Sequence, residues 1–496
     1  MADRAQIKSL AELGLTAQGG REAKITGLSV DSRGVKDGHL FVALPGTRVH
    51  GGEFIQFALR MGAAAVLTDR EGASIAKDVL AKANVPVVLA EDPRQALAYS
   101  AALWFEKQPE TMVAVTGTNG KTSVATFTRQ IWSALGLAAI NLGTTGVEGA
   151  YTAPLAHTTP EPITLHRILA SAAEAGVTHA AMEASSHGLE QRRLDGVRLA
   201  AAAFTNFSQD HLDYHATFED YFAAKAGLFD RVLPEDAVAV VNLDDNRGAE
   251  MAEIALDRGQ DLLTVGRGMG AHLRITGQRF DATGQNLRFE WNGEVQQARL
   301  SLIGGFQAEN VLAAAALAIG SGCAPEHVFR TFPELTTVRG RMQLAATRDN
   351  GSTVFVDYSH TPDALATALQ ALRPHVMGRL IVVFGAGGDR DTSKRVLMGR
   401  AAAEHGDVVI VTDDNPRSEE PAAIRAMVMQ GCPDATEVGD RAEAILRGVD
   451  ALQPGDALLI AGKGHETGQV IGDDVFPFDD AEQASVAVAA LDGRVS

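Results

Sequence analysis

Short runs of consecutive apolar residues recur along the chain, and each ends abruptly in a polar or glycine-rich tip. Between them lie alanine- and leucine-rich stretches of helical period. Near the start, Ile25–Val30, Leu40–Leu44, Ala64–Thr68 and Val85–Leu89 predict strands, and Phe54–Met61 predicts a helix. Further on, Val113–Thr116, His179–Met182, Ala200–Thr205 and Ala237–Val241 predict strands. Their tips are the glycine turn 117–121, Glu183-Ala184-Ser185-Ser186-His187, Asn206–His211 and Asn242–Asp245. Phe218–Val232 predicts a helix. Residues from about 261 to 303 alternate (LRITGQRF, NLRFEW, VQQARLSL) and predict antiparallel strands, after which Gly304–Ala318 enters a helix through Asn310. In the last third, Val354–Val356, Leu380–Phe384, Val408–Val411 and Ala457–Ile460 lead into tips at 357–360, 385–391, 412–417 and 461–466.

A continuous apolar run fits a strand covered on both faces, so strands alternating with helices predict an α/β chain with mostly parallel sheets. At ~150 residues per domain the 496 residues make three domains. The polar joint Lys107-Gln108-Pro109-Glu110 and the segment Val338-Arg339-Gly340-Arg341 divide the chain into 1–108, 109–338 and 339–496. In open α/β sheets ligands sit at the carboxyl ends of the strands, which directs attention to the tips.

Composition changes the picture in three ways. The hydrophobic share of 46% and charged share of 21% describe a soluble chain with an ample core. A net charge of −18 argues against a nucleic-acid or membrane-surface binder, so anionic ligands need local basic groups and helix ends. The 2 cysteines, Cys323 and Cys432, lie far apart, and the beginning of the chain lacks a signal-like apolar core. Those features predict a cytoplasmic protein without membrane insertion.

The sharpest chemical signal is Met112–Ser123, MVAVTGTNGKTS. A strand, a glycine turn and an amphipathic run to Leu135 make a phosphate cradle. Backbone N–H groups of Gly117, Thr118, Asn119, Gly120 and Ser123 would face an anion. Lys121 would reach the terminal phosphates, and the Thr122 hydroxyl would ligate Mg²⁺. The loop is a shortened GxxGKT form, because Val115 stands where the longer motif has its first glycine. Glu183 and His211, at neighbouring strand ends, have the chemistry to complete a Mg²⁺ shell. Lys225 lies among Phe222, Ala223, Ala224, Ala226, Leu228 and Phe229. It either snorkels to water or, if buried, needs a partner or a modification that removes its charge. Arg390, Arg417 and Lys463 mixed with Asp414 and Glu466 fit a zwitterionic ligand, since guanidinium holds carboxylate and carboxylate holds ammonium.

Taken together, TGTNGKTS (116–123), HTTP (157–160), MEASSHGLEQRR (182–193), TNFSQDHLDYH (205–215), YFAAKAGLF (221–229), VRGRMQ (338–343), DYSHTPDAL (357–365), GAGGDRD (385–391), DDNPR (413–417) and GKGHE (462–466) resemble the Mur ligases across essentially the whole chain. The resemblance implies an N-terminal α/β uridine-nucleotide-binding domain, a central P-loop-type ATPase domain and a C-terminal Rossmann-like domain. The implied activity is ATP-dependent amide ligation through an acyl phosphate in peptidoglycan precursor synthesis. The DNPR pattern resembles members that add meso-diaminopimelate to UDP-N-acetylmuramoyl-L-alanyl-D-glutamate. The family resemblance further implies that Asn310, Arg341 and Asp357 contact the nucleotide. Ser32, Thr158, Thr159, Ser185, Gln191 and Arg193 would contact the uridine-nucleotide substrate, and Arg390, Asp414, Asn415, Pro416, Arg417, Gly462 and Glu466 the diaminopimelate. Lys225 matches a lysine that is carbamylated in the family, and its carbamate would help hold Mg²⁺ beside Thr122, Glu183 and His211. The expected partners are these substrates and ATP, with no nucleic acid, and the expected state is a monomer. His211 and His360 are the candidates for the base that frees the attacking amine. Two departures stand out: Gln307 in GGFQAEN, where the family commonly has asparagine, and the loop Gly46–Gly52, which lacks the usual Asp-Gly.

Overall fold

The computed structural model describes residues 6–46, 48–208, 215 and 217–494. It divides into two compact units, one built within Met1–His272 together with Leu312–Val328, the other within Leu273–Val311 together with Phe329–Ser496.

The first unit opens with a parallel sheet of Gly27–Ser29, His39–Val42, Ala65–Thr68 and Val87–Leu89, paired in that order. Leu40, Val42, Ala65 and Leu67 face one apolar cluster and Phe41 and Val66 another, so the runs are covered on both faces as their composition requires. The helix Pro93–Phe105 leaves this sheet with Asp92 accepting from the N–H groups of Arg94 and Gln95 and proline in its first turn.

The unit's larger sheet is parallel through Asp261–Gly266, Val238–Asn242, Ala201–Phe204, Thr111–Thr116, His179–Glu183 and Ala139–Gly143, with Gly146–Gly149 added antiparallel at the edge. The strand Asp261–Gly266 corrects the expectation of antiparallel pairing from 261 onward. Its register runs parallel to Val238–Asn242, because DLLTVG is an apolar run ending in buried Thr264 and Val265 and not an alternating one. Thr111–Thr116 lies at the middle of the order, flanked by the strands that end in Glu183 and Phe204. The tips of Thr116, Glu183 and Phe204 therefore lie at one edge.

The second unit contains the expected antiparallel meander, Leu273–Asp281, Gly284–Trp291 and Glu294–Leu300. Its main sheet is ordered Gln343–Thr347, Thr353–Asp357, Ala457–Ala461, Leu380–Phe384, Val408–Val411, Thr436–Glu437, antiparallel at the first pair and parallel thereafter. Leu459, Val382 and Phe384 pack on one face and Leu458, Ile460, Ile381 and Val383 on the other. The tips at 357–360, 385–391, 412–417 and 461–466 consequently share the carboxyl edge of this sheet. Among the described residues no helix is long and apolar enough to cross a membrane.

Candidate functional site

The glycine turn after Thr116 is held from the neighbouring strand end. Gly117 has φ +146°, and a Cβ there would lie 1.9 Å from Thr205 Oγ1, so only glycine fits. Asn206 clamps the turn from both sides: its Oδ1 accepts from Asn119 N at 2.8 Å and its Nδ2 donates to Asn119 O at 3.1 Å. Thr118 N donates to Asn206 O at 2.8 Å, and Thr205 Oγ1 donates to Asn119 O at 2.6 Å. The helix Lys121–Ala134 begins at Gly120, in the left-handed region at φ +87°, without a side-chain cap. The helix Pro93–Phe105 carries an acid at that point, whereas this N-terminus has no side-chain cap and suits an anion.

Two lysines converge beneath the turn. Lys121 Nζ donates to Gly117 O at 2.8 Å and Thr118 O at 2.9 Å. Lys225, 1% exposed, donates to Gly117 O at 2.8 Å, and its Nζ lies 4.4 Å from the centre of the Tyr221 ring. The helix Phe218–Gly227 that carries it passes into a wider π-helical turn over Leu228–Val232. Burial thus decides between the two readings of Lys225: it does not snorkel.

Glu183, 2% exposed, ends the adjacent strand. Its Oε1 accepts from Thr144 N at 2.8 Å and its Oε2 from Thr144 Oγ1 at 3.3 Å. Gly143 makes this approach possible, since a Cβ there would lie 1.9 Å from Glu183 Oε1. Around it the residues expected at the uridine-nucleotide substrate form one network. Thr144 Oγ1 meets Thr158 Oγ1 at 3.1 Å, and Thr159 Oγ1 donates to Glu183 O at 2.9 Å. Ser185 N and Oγ donate to Thr159 Oγ1 at 3.1 and 3.0 Å, Arg193 Nη1 donates to Thr159 O, and Arg193 Nη2 donates to Gln191 Oε1 at 2.8 Å. Ser32 sits apart, buried in a helical turn beyond Gly27–Ser29. His211 lies outside the described residues. Among the described residues no cluster of three or more His, Cys, Asp or Glu side chains could cage a metal. The donor set that is present fits Mg²⁺ nonetheless. That ion takes one or two protein oxygens plus phosphate oxygens and water, and Thr122 and the buried Glu183 carboxylate stand at the cradle's edge.

In the second unit, Asn310 Nδ2 donates to Gln307 Oε1 at 3.0 Å, and both side chains are buried. Asp357 Oδ2 accepts from Met342 N at 2.6 Å and Oδ1 from Ser359 N at 2.9 Å. Burial pushes its carboxyl above the usual carboxylate range despite those bonds. Arg341 lies over the Tyr358 ring, 4.8 Å from its centre. His360 is exposed, with Nδ1 2.9 Å from Tyr358 O.

The mixed-charge loops gather at three adjacent strand ends. Asp414 Oδ1 accepts from Asn415 N at 2.7 Å, and a Cβ on Gly462 would lie 2.5 Å from Asp414 Oδ2. Gly388 is pressed so close to Pro416 that a Cβ would lie 1.9 Å from Pro416 O. Arg417, at φ 52°, donates from Nη1 to Gly388 O at 2.8 Å, and exposed Arg390 stands on the same glycine loop. Asn415 Nδ2 donates to Glu466 Oε2 at 2.9 Å. Two guanidinium groups and two carboxylates within one loop cluster provide for a ligand with both carboxylate and ammonium ends. Lys463 belongs to the cluster in sequence, but its Nζ is turned inward, and the side chain is wholly buried. Asn206, Thr205 and Thr144 had no assigned role. The only trace of them in sequence is that TNFS and GTT also sit at strand tips.

Comparison with known proteins places these sites in context. Residues 24–104 match the domain described as "Mur ligase family, catalytic domain", 115–318 the "Mur ligase middle domain", and 340–464 the "Mur ligase, glutamate ligase domain". The UDP-N-acetylmuramoyl-L-alanyl-D-glutamate–2,6-diaminopimelate ligase of Brucella melitensis is 48% identical over 472 residues, 95% of each chain. That of Bradyrhizobium diazoefficiens is 49% identical over 471 residues, 94% of this chain and 95% of its own. A solved structure of a ligase with the same name superposes with a TM-score of 0.76 at 35% identity, covering 98% of this chain and 99% of its own. The UDP-N-acetylmuramoylalanyl-D-glutamyl-2,6-diaminopimelate–D-alanyl-D-alanyl ligase of Acinetobacter baumannii shares the fold, with a TM-score of 0.60 at 18% identity, covering 94% of this chain and 97% of its own.

Proposed function

The chain belongs to the Mur ligase family, and we propose that it joins meso-2,6-diaminopimelate to UDP-N-acetylmuramoyl-L-alanyl-D-glutamate at the expense of ATP. The observation that carries this reading is near-half identity to diaminopimelate-adding ligases over almost the full length of both chains. The mixed-charge cluster of Arg390, Asp414, Arg417 and Glu466 supports the choice of acceptor. The enzyme is an ADP-forming acid–amino-acid ligase of peptidoglycan precursor synthesis. It acts in the cytoplasm, where ATP is supplied and its two free thiols, Cys323 and Cys432, stay reduced. One chain carries every residue assigned a role, which fits a monomer.

The reaction runs in two steps. The terminal carboxylate of the D-glutamyl residue attacks the γ-phosphorus of ATP, and ADP leaves with the electron pair of the broken P–O bond. The diaminopimelate amine then attacks the acyl carbon, loses a proton, and phosphate departs. This chain's residues bind and orient. The open N-terminus after Gly120 and the Lys121 ammonium hold the phosphates, offsetting charge on the transferring group. Thr158, Thr159, Ser185, Gln191 and Arg193 orient the uridine-nucleotide substrate beside Glu183. Arg390 and Arg417 take acceptor carboxylates, and Asp414 and Glu466 take an ammonium. When Mg²⁺ is bound, held by Thr122, Glu183, His211 and a carbamylated Lys225, it supplies further charge neutralisation at the phosphates.

The test is phosphate release with the uridine dipeptide substrate, ATP and one amino acid at a time. Diaminopimelate should support release and lysine should not. Release with lysine alone would assign a different member of the family, and none with any amino acid would sink the reading.

A further inference from the structure

Lys463 has 0% side-chain exposure, and its ammonium is held inside the protein. Its Nζ donates to Gly468 O, to Asn415 Oδ1 at 3.2 Å and to Glu466 Oε2 at 3.4 Å. An ammonium has three protons, so all are committed inside the protein. Burying an ammonium is expensive, and an apolar side chain of similar length would serve packing better. The geometry around Asn415 shows what the charge does. Asn415 Oδ1 accepts from Lys463 and also from Val470 N at 2.9 Å. Two donors on one atom fix which end of the amide is oxygen, so the NH₂ group must point the other way, where it donates to Glu466 Oε2 at 2.9 Å. Among the described residues both side-chain hydrogen bonds to Glu466 land on Oε2, which leaves Oε1 for an incoming ammonium.

We propose that Lys463 is a positioning residue that sets selectivity for the amine acceptor, by locking the Asn415 amide in one orientation and turning the Glu466 carboxylate with it. The proposal rests on the reading that these loops bind diaminopimelate. Through Gly468, Lys463 also ties the hairpin Gly468–Ile471 and Asp474–Pro477 to the same lock. That hairpin closes on the loop from a second direction, since Gln469 Nε2 donates to Asp414 O at 2.7 Å and Arg417 N to Val470 O at 3.0 Å. The hairpin therefore fastens loop 414–417, and the buried ammonium joins the two through Asn415 Oδ1 and Gly468 O.

The test is steady-state kinetics of full-length Lys463→Met against wild type, varying each substrate in turn. Loss of a charge-assisted bond predicts a KM for diaminopimelate raised about tenfold or more. The KM values for ATP and the uridine dipeptide should stay near wild type, with an unchanged or raised melting temperature. If Lys463 acts through Asn415, adding Lys463→Met to Asn415→Ala should change the diaminopimelate KM little further. An unaltered diaminopimelate KM, an equal rise in all three KM values, or full additivity with Asn415→Ala would each overturn the proposal. Lys463→Gln keeps a donor toward Gly468 O and carries the same test should Lys463→Met fail to fold. Failure of both to fold would mark Lys463 as structural and overturn it. Absence of wild-type turnover with diaminopimelate would sink the functional reading instead, so the two failures are distinguishable.

Discussion

Lys121 and Lys225 converge on one acceptor, each with Nζ 2.8 Å from the carbonyl oxygen of Gly117. Two ammonium groups on a single carbonyl, one of them wholly buried, repel each other in a medium that screens poorly. The proposed carbamylation would remove the conflict: neutral Nζ would attack carbon dioxide, a C–N bond would form, a proton would leave, and a cation would become an anion beside Lys121. Enzyme stripped of bicarbonate should therefore lose activity and regain it when bicarbonate returns. Lys225→Ala should lower turnover about 100-fold or more, with partial recovery in formate or acetate. Intact-mass measurement of fully active enzyme that found unmodified lysine would reject this account.

Lys121 itself should be less forgiving. It is the first residue of the uncapped helix, and no carboxylate can substitute for its ammonium. Lys121→Ala should reduce phosphate release about 1000-fold or more while melting within a few degrees of wild type. A variant that keeps a tenth of wild-type turnover would return the glycine loop to an ordinary strand-to-helix turn.

Glu183 makes a sharper case for the metal. Its two oxygens accept only from Thr144 N and Oγ1 among the described residues, at 2.8 and 3.3 Å, so a buried carboxylate keeps lone pairs to spare at the strand end beside the glycine turn. Glu183→Gln preserves shape and removes charge. The Mg²⁺ concentration needed for half-maximal activity should rise about tenfold or more, and Mn²⁺ should restore part of the loss. A magnesium titration superimposable on wild type would place Glu183 outside the metal shell.

These sites were legible in the chain to unequal degrees. Strand tips could be read because a run covered on both faces must end where its backbone meets solvent, which marked Gly117–Lys121, Glu183, Asp414–Arg417 and Gly462–Glu466. What could not be read is partnership across strands. Nothing local in TNFS says that Asn206 clamps Asn119, and nothing in GTT says that Thr144 caps Glu183. Lys463 looked like a ligand group because it shares a charge pattern with Asp414, Arg417 and Glu466, yet tertiary packing turns it inward. Gln307 was visible as a departure from the family's asparagine. What the sequence does not show is that its buried side chain accepts from Asn310 Nδ2 at 3.0 Å.

His166 gives the fold a pH dependence. It lies on the helix Pro162–Glu174 at 2% exposure, and Nε2 has no hydrogen-bond partner among the described residues. Burial, helped by Arg198, lowers its pKa from 6.5 to about 4. The unfolded chain therefore takes up a proton near pH 6.5 that the folded chain refuses until about pH 4. Stability from this group is whole above pH 6.5 and falls as the pH drops through that window, by about 2 kcal/mol between pH 7.5 and 5. Urea unfolding at the two pH values should show that loss in wild type and a smaller one in His166→Leu. Equal slopes would show that His166 titrates normally.

Arg441 and Asp480 form the most deeply buried ion pair described, both side chains at 0% exposure, with Nε to Oδ1 and Nη2 to Oδ2 each at 2.7 Å. Each residue opens a helix, Arg441–Asp450 and Asp480–Leu491. The guanidinium does more than pair: Nη1 donates to Asp413 O at 3.2 Å and Nη2 to Ala461 O at 3.0 Å, the carbonyls just before Asp414 and Gly462. Asp480→Asn leaves a buried cation without its counter-ion and should lower unfolding free energy by about 3–5 kcal/mol. Arg441→Met combined with Asp480→Leu removes both charges and should recover most of that loss, because a well-packed apolar pair need not be desolvated. It cannot replace the two hydrogen bonds to the loop carbonyls. The double variant should therefore melt near wild type and still bind diaminopimelate several-fold more weakly, as a raised KM for that substrate alone. Wild-type kinetics in a stable double variant would show that the strand ends hold the acceptor loops without Arg441.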